Sequence, residues 1–153
     1  MLFRTELILP LQDYAARLGD GSASRYELRL LDSSGITWPP NVDGVWTDYS
    51  AFECDFKGYA PKTITSAMIA SHVFDGDSVY RDSHTLTFAY DSGESGADTK
   101  TSAFHAALVR LNAGNSAVDT LIDLIELDSE KVFTADGHLL ETKYRRYALN
   151  CEE

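Results

Sequence analysis

The sequence predicts a mainly β protein: a single-domain β-sandwich or barrel over residues 25–150, preceded by an arm at 1–10 and a short helix at 11–19. Three observations predict it. Residues 25–31 and 84–91 alternate apolar and polar side chains with the period of a half-buried strand. Turn clusters at Asp32-Ser-Ser-Gly35, Asp75-Gly76-Asp77, Asn112-Ala-Gly-Asn-Ser116 and Asp136-Gly137 divide the chain into short segments at fairly regular intervals. The length of 153 residues, 44% of them hydrophobic, suits one domain with a sizeable core of its own.

Each element has its reason. The arm carries Leu2, Phe3, Leu7 and Ile8 before any turn signal, an apolar run costly to leave in water. In the predicted helix, Leu11, Tyr14, Ala15 and Leu18 form one stripe, and Gly19 and Gly21 stop it. In the first strand Tyr26, Leu28 and Leu30 face one way, and Arg25, Glu27 and Arg29 the other. Trp38, Pro39 and Pro40 make a loop, since consecutive prolines cannot donate ladder hydrogen bonds. Trp38 there is either a cover over the core edge or an exposed contact.

Residues 46–64 are the densest aromatic stretch, bent around Gly58 and Pro61 into a corner that feeds a strand, with Phe52, Phe56 and Tyr59 as packing anchors. Residues 66–74 leave strand and helix both open. A hairpin turn at Asp75–Asp77 follows, then a clear strand with Leu86, Phe88 and Tyr90 facing in. Residues 92–102 are small and polar, an exposed loop that is mobile unless a partner orders it. Residues 118–127 are again ambiguous between strand and helix. Asp136-Gly137 reads as a type I′-like turn before a final strand over 138–149.

With 24 acidic against 13 basic residues, the formal net charge of −11 argues against nucleic-acid binding. The apolar runs are too short to span a bilayer, and the N-terminal segment is too short for a signal peptide. Cys54 and Cys151 match no metal-ligand or redox spacing; two ordinary thiols are the expectation, and a single long-range bridge between them is the alternative. His72, His84, His105 and His138 form no metal-binding unit, although His72 and His84 flank a turn. Asp75, Asp77, Asp82 and Asp91 gather near turns without a calcium-loop pattern. No catalytic, cofactor-binding or metal-binding residue is assigned, no cofactor is expected, and the chain is expected not to be an enzyme.

At Phe56-Lys-Gly-Tyr-Ala60 the sequence resembles a family of small structural proteins of tailed bacteriophages, of decoration or tail-accessory type. The similarity extends to the preceding helix and strand, the Thr-rich segment from Lys62 and the late strands. It implies a virion component, assembled in the host cytoplasm, non-enzymatic, with partners among other virion proteins and copies of itself. The first expectation is a head decoration or cement-type subunit. The alternative is a tail accessory or fibre-associated protein that binds tail subunits or a host receptor or glycan through Trp38, Trp46 and Tyr49. Leu2, Phe3, Leu7, Ile8, Trp38, Pro39, Pro40 and Trp46 are the expected contact residues. Phe52, Phe56, Gly58, Tyr59 and Pro61 are the expected structural corner.

Overall fold

The computed structural model describes residues 25–32, 36, 45–64, 73–75, 78–111, 119–143 and 145–150. The expected helix at 11–19 and most of the uncertain segment 66–74 lie outside them. The described chain is mainly β, in antiparallel sheets. Its strands are β1 (Arg25–Leu31), β2 (Lys62–Ile64), β3 (Val73–Asp75), β4 (Ser78–Asp82), β5 (Leu86–Ala89), β6 (Ser102–Leu111), β7 (Thr120–Val132), β8 (Leu139–Thr142) and β9 (Arg145–Asn150). They form a four-stranded sheet in the order β2-β1-β6-β7, a three-stranded sheet β3-β4-β9 and a two-stranded ribbon β5-β8. No sheet closes into a barrel among the described residues.

The four-stranded sheet is covered on both faces. Tyr26, Leu28 and Leu30 of β1 and Ala106 and Leu108 of β6 face one cluster, filled by Cys54, Phe56, Leu86, Phe88 and Phe133. Leu31, Ala107, Val109, Leu121 and Leu124 face the other, filled by Trp46 and Tyr49 from two 3₁₀ turns at Trp46–Asp48 and Ser50–Phe52. Four successive residues of β6, Ala106 to Val109, are therefore buried. A strand covered on both faces reads as an apolar run, and this one does.

Strand β7 resolves the ambiguity over 120–127, the part of the expected segment 118–127 that it covers; Val118 lies outside the described residues. Leu108 pairs with Asp123 while the next residue, Val109, pairs with Leu121, so Ile122 is an extra residue in a β-bulge. The bulge shifts the alternation. Leu121 and Leu124 share one face and Ile122 and Ile125 the other, a helix-like spacing made by a strand. Further on, β6 pairs Ala103 with Lys131 and His105 with Glu126, so four residues of β7 stand opposite Phe104.

The final strand expected over 138–149 is two strands with different partners. β8 pairs with β5, and β9 pairs with β4. The turn between β7 and β8 also differs from expectation. His138 N–H donates to Ala135 O at 3.1 Å, and of the two central residues only Gly137 has positive φ, at 92°. Type I′ needs positive φ at both, whereas type II needs it only at the second. Asp136 stays in ordinary backbone space and uses its carboxylate elsewhere.

Phe56 is the side chain on which the larger cluster closes. Its ring stacks on Phe133 with centroids 4.2 Å apart and meets the Tyr59 edge at 5.1 Å. Both Phe56 and Phe133 are essentially inaccessible to water. Phe56→Ala is expected to lower stability by about 3–5 kcal/mol, read as a reduced denaturation midpoint in urea.

Candidate functional site

The corner begins as a strand partner. Cys54 N–H donates to Leu30 O at 3.0 Å and Asp32 N–H to Phe52 O at 2.8 Å, so residues 52–54 pair with the end of β1. Lys62–Ile64 pair with the start of the same edge, at Leu28 to Tyr26. Residues 55–61 are an excursion between these two pairings. Where the chain turns off at Cys54, the Leu30 N–H loses its backbone acceptor, and the Tyr59 hydroxyl takes that place at 3.1 Å. The same hydroxyl donates to Glu53 Oε1 at 3.0 Å. Burial and the neighbouring Glu53 carboxylate push the Tyr59 pKa far up, so the phenol keeps its proton.

Glu53 also ties the corner to the opposite face of β1. Arg29 Nη1 donates to Glu53 at 2.9 Å and Arg29 Nη2 to Glu27 at 2.7 Å, while the guanidinium carbon lies 5.0 Å from the Trp46 ring centroid. Burial works against the Arg29 charge, but the two carboxylates outweigh it and the pKa rises. Trp46 is thereby a buried residue, 4% exposed, and not the surface contact expected. Its indole lies beneath Arg29, and its backbone N–H donates to Asp119 O at 2.6 Å. Tyr49 is buried with it, so neither ring is presented for stacking on a glycan.

Gly58 turns the excursion at φ 80°, a left-handed angle that disfavours a side chain. Pro61 leads directly into β2, and Phe52 packs half-buried on the Trp46 cluster. The arm residues Leu2, Phe3, Leu7 and Ile8 and the loop residues Trp38, Pro39 and Pro40 lie outside the described residues.

The loop over 92–102 is expected to be exposed, and mobile unless a partner orders it. It is exposed, yet its own chain holds it. The backbone bonds Asp55 N–H to Lys100 O, Asp98 N–H to Asp55 O and Gly58 N–H to Ser95 O, each 3.2 Å, lay it along the corner. Ser102, counted with the loop in the sequence, belongs to β6. Three carboxylates reinforce these bonds. Asp55 accepts from Thr99 N–H at 2.8 Å, from Lys100 N–H at 2.7 Å and from the Thr99 hydroxyl. Asp98, at φ 54°, accepts from Lys57 N–H at 2.9 Å and from the Tyr90 hydroxyl at 3.1 Å. Asp136 accepts from Ser92 N–H and Oγ, both at 2.7 Å. Gly96 passes so close that an added Cβ would lie 2.6 Å from the Lys57 nitrogen.

Burial pushes the Asp55 carboxyl upward, but the bonds from Thr99 and Lys100 outweigh it and hold it below the usual range. The Ser92 hydroxyl and N–H hold the Asp136 carboxyl low as well. Cys54, sealed beneath the corner, is pushed up to about 12 by burial and by the carboxylates of Asp32, Asp55 and Glu53, which leaves an unreactive thiol. Among the described residues no three His, Cys, Asp or Glu side chains converge as a metal would require. His84 is exposed, while His72 and Asp77 lie outside the described residues.

Beside the corner, a cleft of about 400 Å³ opens between β5 and residues 58–62. Gly58, Ala60, Ala89 and Ser95 give it small walls. Lys62 lines it with its ammonium 5.5 Å from the Phe88 ring centroid, and Asp91 and Glu94 line it beyond the last residue of β5. The corner is legible in the sequence, but this cleft and the three clamping aspartates are not, because each aspartate also reaches residues more than forty positions away. Comparison with protein-family models, with curated proteins and with solved structures finds no match to this chain.

Two outcomes follow from this geometry. Tyr59→Phe leaves the Leu30 N–H without its acceptor and is expected to cost ~1–3 kcal/mol in chemical denaturation, with the fold retained. The clamps also carry a pH dependence. The Asp55 and Asp136 carboxyls titrate lower folded than the value of ~3.9 in an unfolded chain, so their contribution is full above that value and lost as pH falls through the folded ones. Amide protection relative to the intrinsic exchange rate at each pH should stay high at Thr99, Lys100 and Ser92 from neutrality to about pH 5 and fall below about pH 4, ahead of Leu108 in the core. Loop and core amides failing together would remove the clamp interpretation.

Proposed function

We propose that this chain is a bacteriophage virion structural protein, a non-enzymatic subunit of head decoration or cement type, built as a single-domain β-sandwich. In that reading the β5-β8 ribbon and the corner form the second layer on the four-stranded sheet. The subunit works by shape, through contacts with other virion proteins and with copies of itself.

The observation that carries the reading is what the polar groups of the corner do. Asp55, Asp98 and Asp136 are all engaged in holding one exposed surface in a fixed form. A surface shaped in advance binds without the cost of ordering a loop, which suits a protein whose task is contact. Three of the five residues that carry the phage resemblance support it in the same way. Phe56 fills the core, Gly58 makes the turn and Tyr59 completes the sheet edge. A motif occupied with folding fits a likeness of architecture rather than of chemistry.

A stable assembly contact buries on the order of 1,200–2,000 Å² in total, and repeated copies supply it by symmetry. Apolar residues available for it include Val45, Val132 and Leu139, exposed at 41%, 43% and 58%. The residue 1–9 arm is the further contact element in this reading. Quantitative mass spectrometry of purified particles against the major capsid protein tests the proposal. Copy number in proportion to capsomers is the expected result. A few copies per particle would move the subunit to the tail, and absence from the particle would overturn the structural role.

A further inference from the structure

The cleft beside β5 is bordered by a strand edge whose direction follows from the ladder. Tyr90 N–H donates to His138 O at 3.0 Å. Antiparallel ladders alternate pairs that exchange hydrogen bonds with pairs that do not. With Phe88 opposite Leu140 and Ala89 opposite Leu139, Phe88 belongs to the first kind, and Thr87 and Ala89 to the second. Thr87 and Ala89 therefore turn their N–H and C=O groups away from β8, toward the cleft. Asp91, two residues on, displays the same orientation, since its N–H donates outward to Lys57 O at 3.1 Å.

The corner thus covers the outer edge of β5 at Asp91 and then leaves it. At Gly58 the backbones still touch, an added Cβ lying 3.2 Å from Ala89 O. Beyond that point, among the described residues, no backbone bond reaches Thr87 or Ala89 from the outer side. The edge is short, the walls are small, and the rim carries Lys62 beside Phe88 and Asp91 and Glu94 beyond the end of β5.

We infer that this cleft accepts a short extended segment of a partner protein, added as a strand to the outer edge of β5, with a basic residue toward Asp91 and Glu94 and an acidic residue toward Lys62. Three extended residues span ~10 Å, the reach of this edge. Added antiparallel, the orientation of every described pairing, the segment places its basic residue first and its acidic residue about two positions later. Main-chain bonds to Thr87 and Ala89 supply affinity, and the rim charges set the register. The inference rests on the contact-protein reading above for the partner being a protein.

The order basic-x-acidic occurs in this chain at Arg4-Thr5-Glu6, which makes a synthetic peptide of residues 1–10 a suitable probe. The full-length protein, labelled with ¹⁵N, is titrated with that peptide and with the same peptide in which Arg and Glu are exchanged. The Thr87 and Ala89 amides are expected to shift and gain protection, with the exchanged peptide about tenfold weaker. Lys62→Glu should remove or reverse that preference. Ala89→Pro deletes an outward N–H without deleting a β5-β8 bond and should abolish binding while Tyr90 stays protected. If the proline variant unfolds, Lys62→Glu carries the test. Equal binding of the two peptides, or shifts confined to other strands, would falsify the inference. Peptide binding by a chain absent from purified particles leaves it standing and removes the virion reading. Incorporation into particles without any change at Thr87 and Ala89 removes it alone.

Discussion

The bond between the Tyr59 hydroxyl and the Leu30 N–H is where local geometry and overall architecture meet. A buried backbone donor without an acceptor costs about as much as a lost hydrogen bond, so an edge strand cannot simply be abandoned by its neighbour. Here the neighbour leaves at Cys54 and returns at Lys62, and one side chain bridges the gap. That substitution frees residues 55–61 to travel across to β5 and the polar loop. Phe56 enters the core, Gly58 turns against Ala89, and Asp55 reaches Thr99 and Lys100, all as consequences of that freedom.

Charge is distributed with the same economy of parts. The chain carries a formal charge of −11, yet its carboxylates near the corner are not idle. Glu27 and Glu53 hold Arg29 across the Trp46 ring, which lets a cation occupy a largely buried site. Removing one partner from such a set would leave the other charge unmatched, a larger penalty than the pairing itself contributes. Further out, Asp55, Asp98 and Asp136 accept from backbone N–H and hydroxyl donors, and Asp98 also lies 3.9 Å from the Lys57 ammonium. These charge-assisted bonds are short-range and directional, and they define the loop's shape without apolar packing.

How much of this was legible in the sequence depended on how local each cause was. The strand at Leu86–Ala89 was readable because Leu86 and Phe88 are buried while Thr87 and Ala89 are exposed, a two-residue period with one covered face. The special angle at Gly58 was readable because glycine between bulky residues has few other uses. Strand β7 was not, since the bulge at Ile122 turns a period of two into a spacing of three. Trp46 was misjudged for another reason. An indole's depth is decided by what lies above it, and Arg29 arrives from a different segment. The loop at 92–101 was rightly polar and exposed, but its restraint comes from Asp55 and Asp136, up to 45 residues distant. Composition reports which groups face water, and it is silent on which of them are already hydrogen-bonded.

The edge of β5 shows what such an arrangement permits. Exposed strand edges invite uncontrolled pairing, and proteins limit the hazard by keeping them short, charged or covered. All three devices operate here. The corner covers the edge at Asp91, the open portion is only about three residues, and Lys62, Asp91 and Glu94 surround it. A long apolar strand would find a poor fit, whereas a brief segment with the complementary charge order would not. The features that protect the edge from indiscriminate pairing are therefore the same ones that select a partner. Specificity arises because the cleft penalises the wrong segment as well as rewarding the right one.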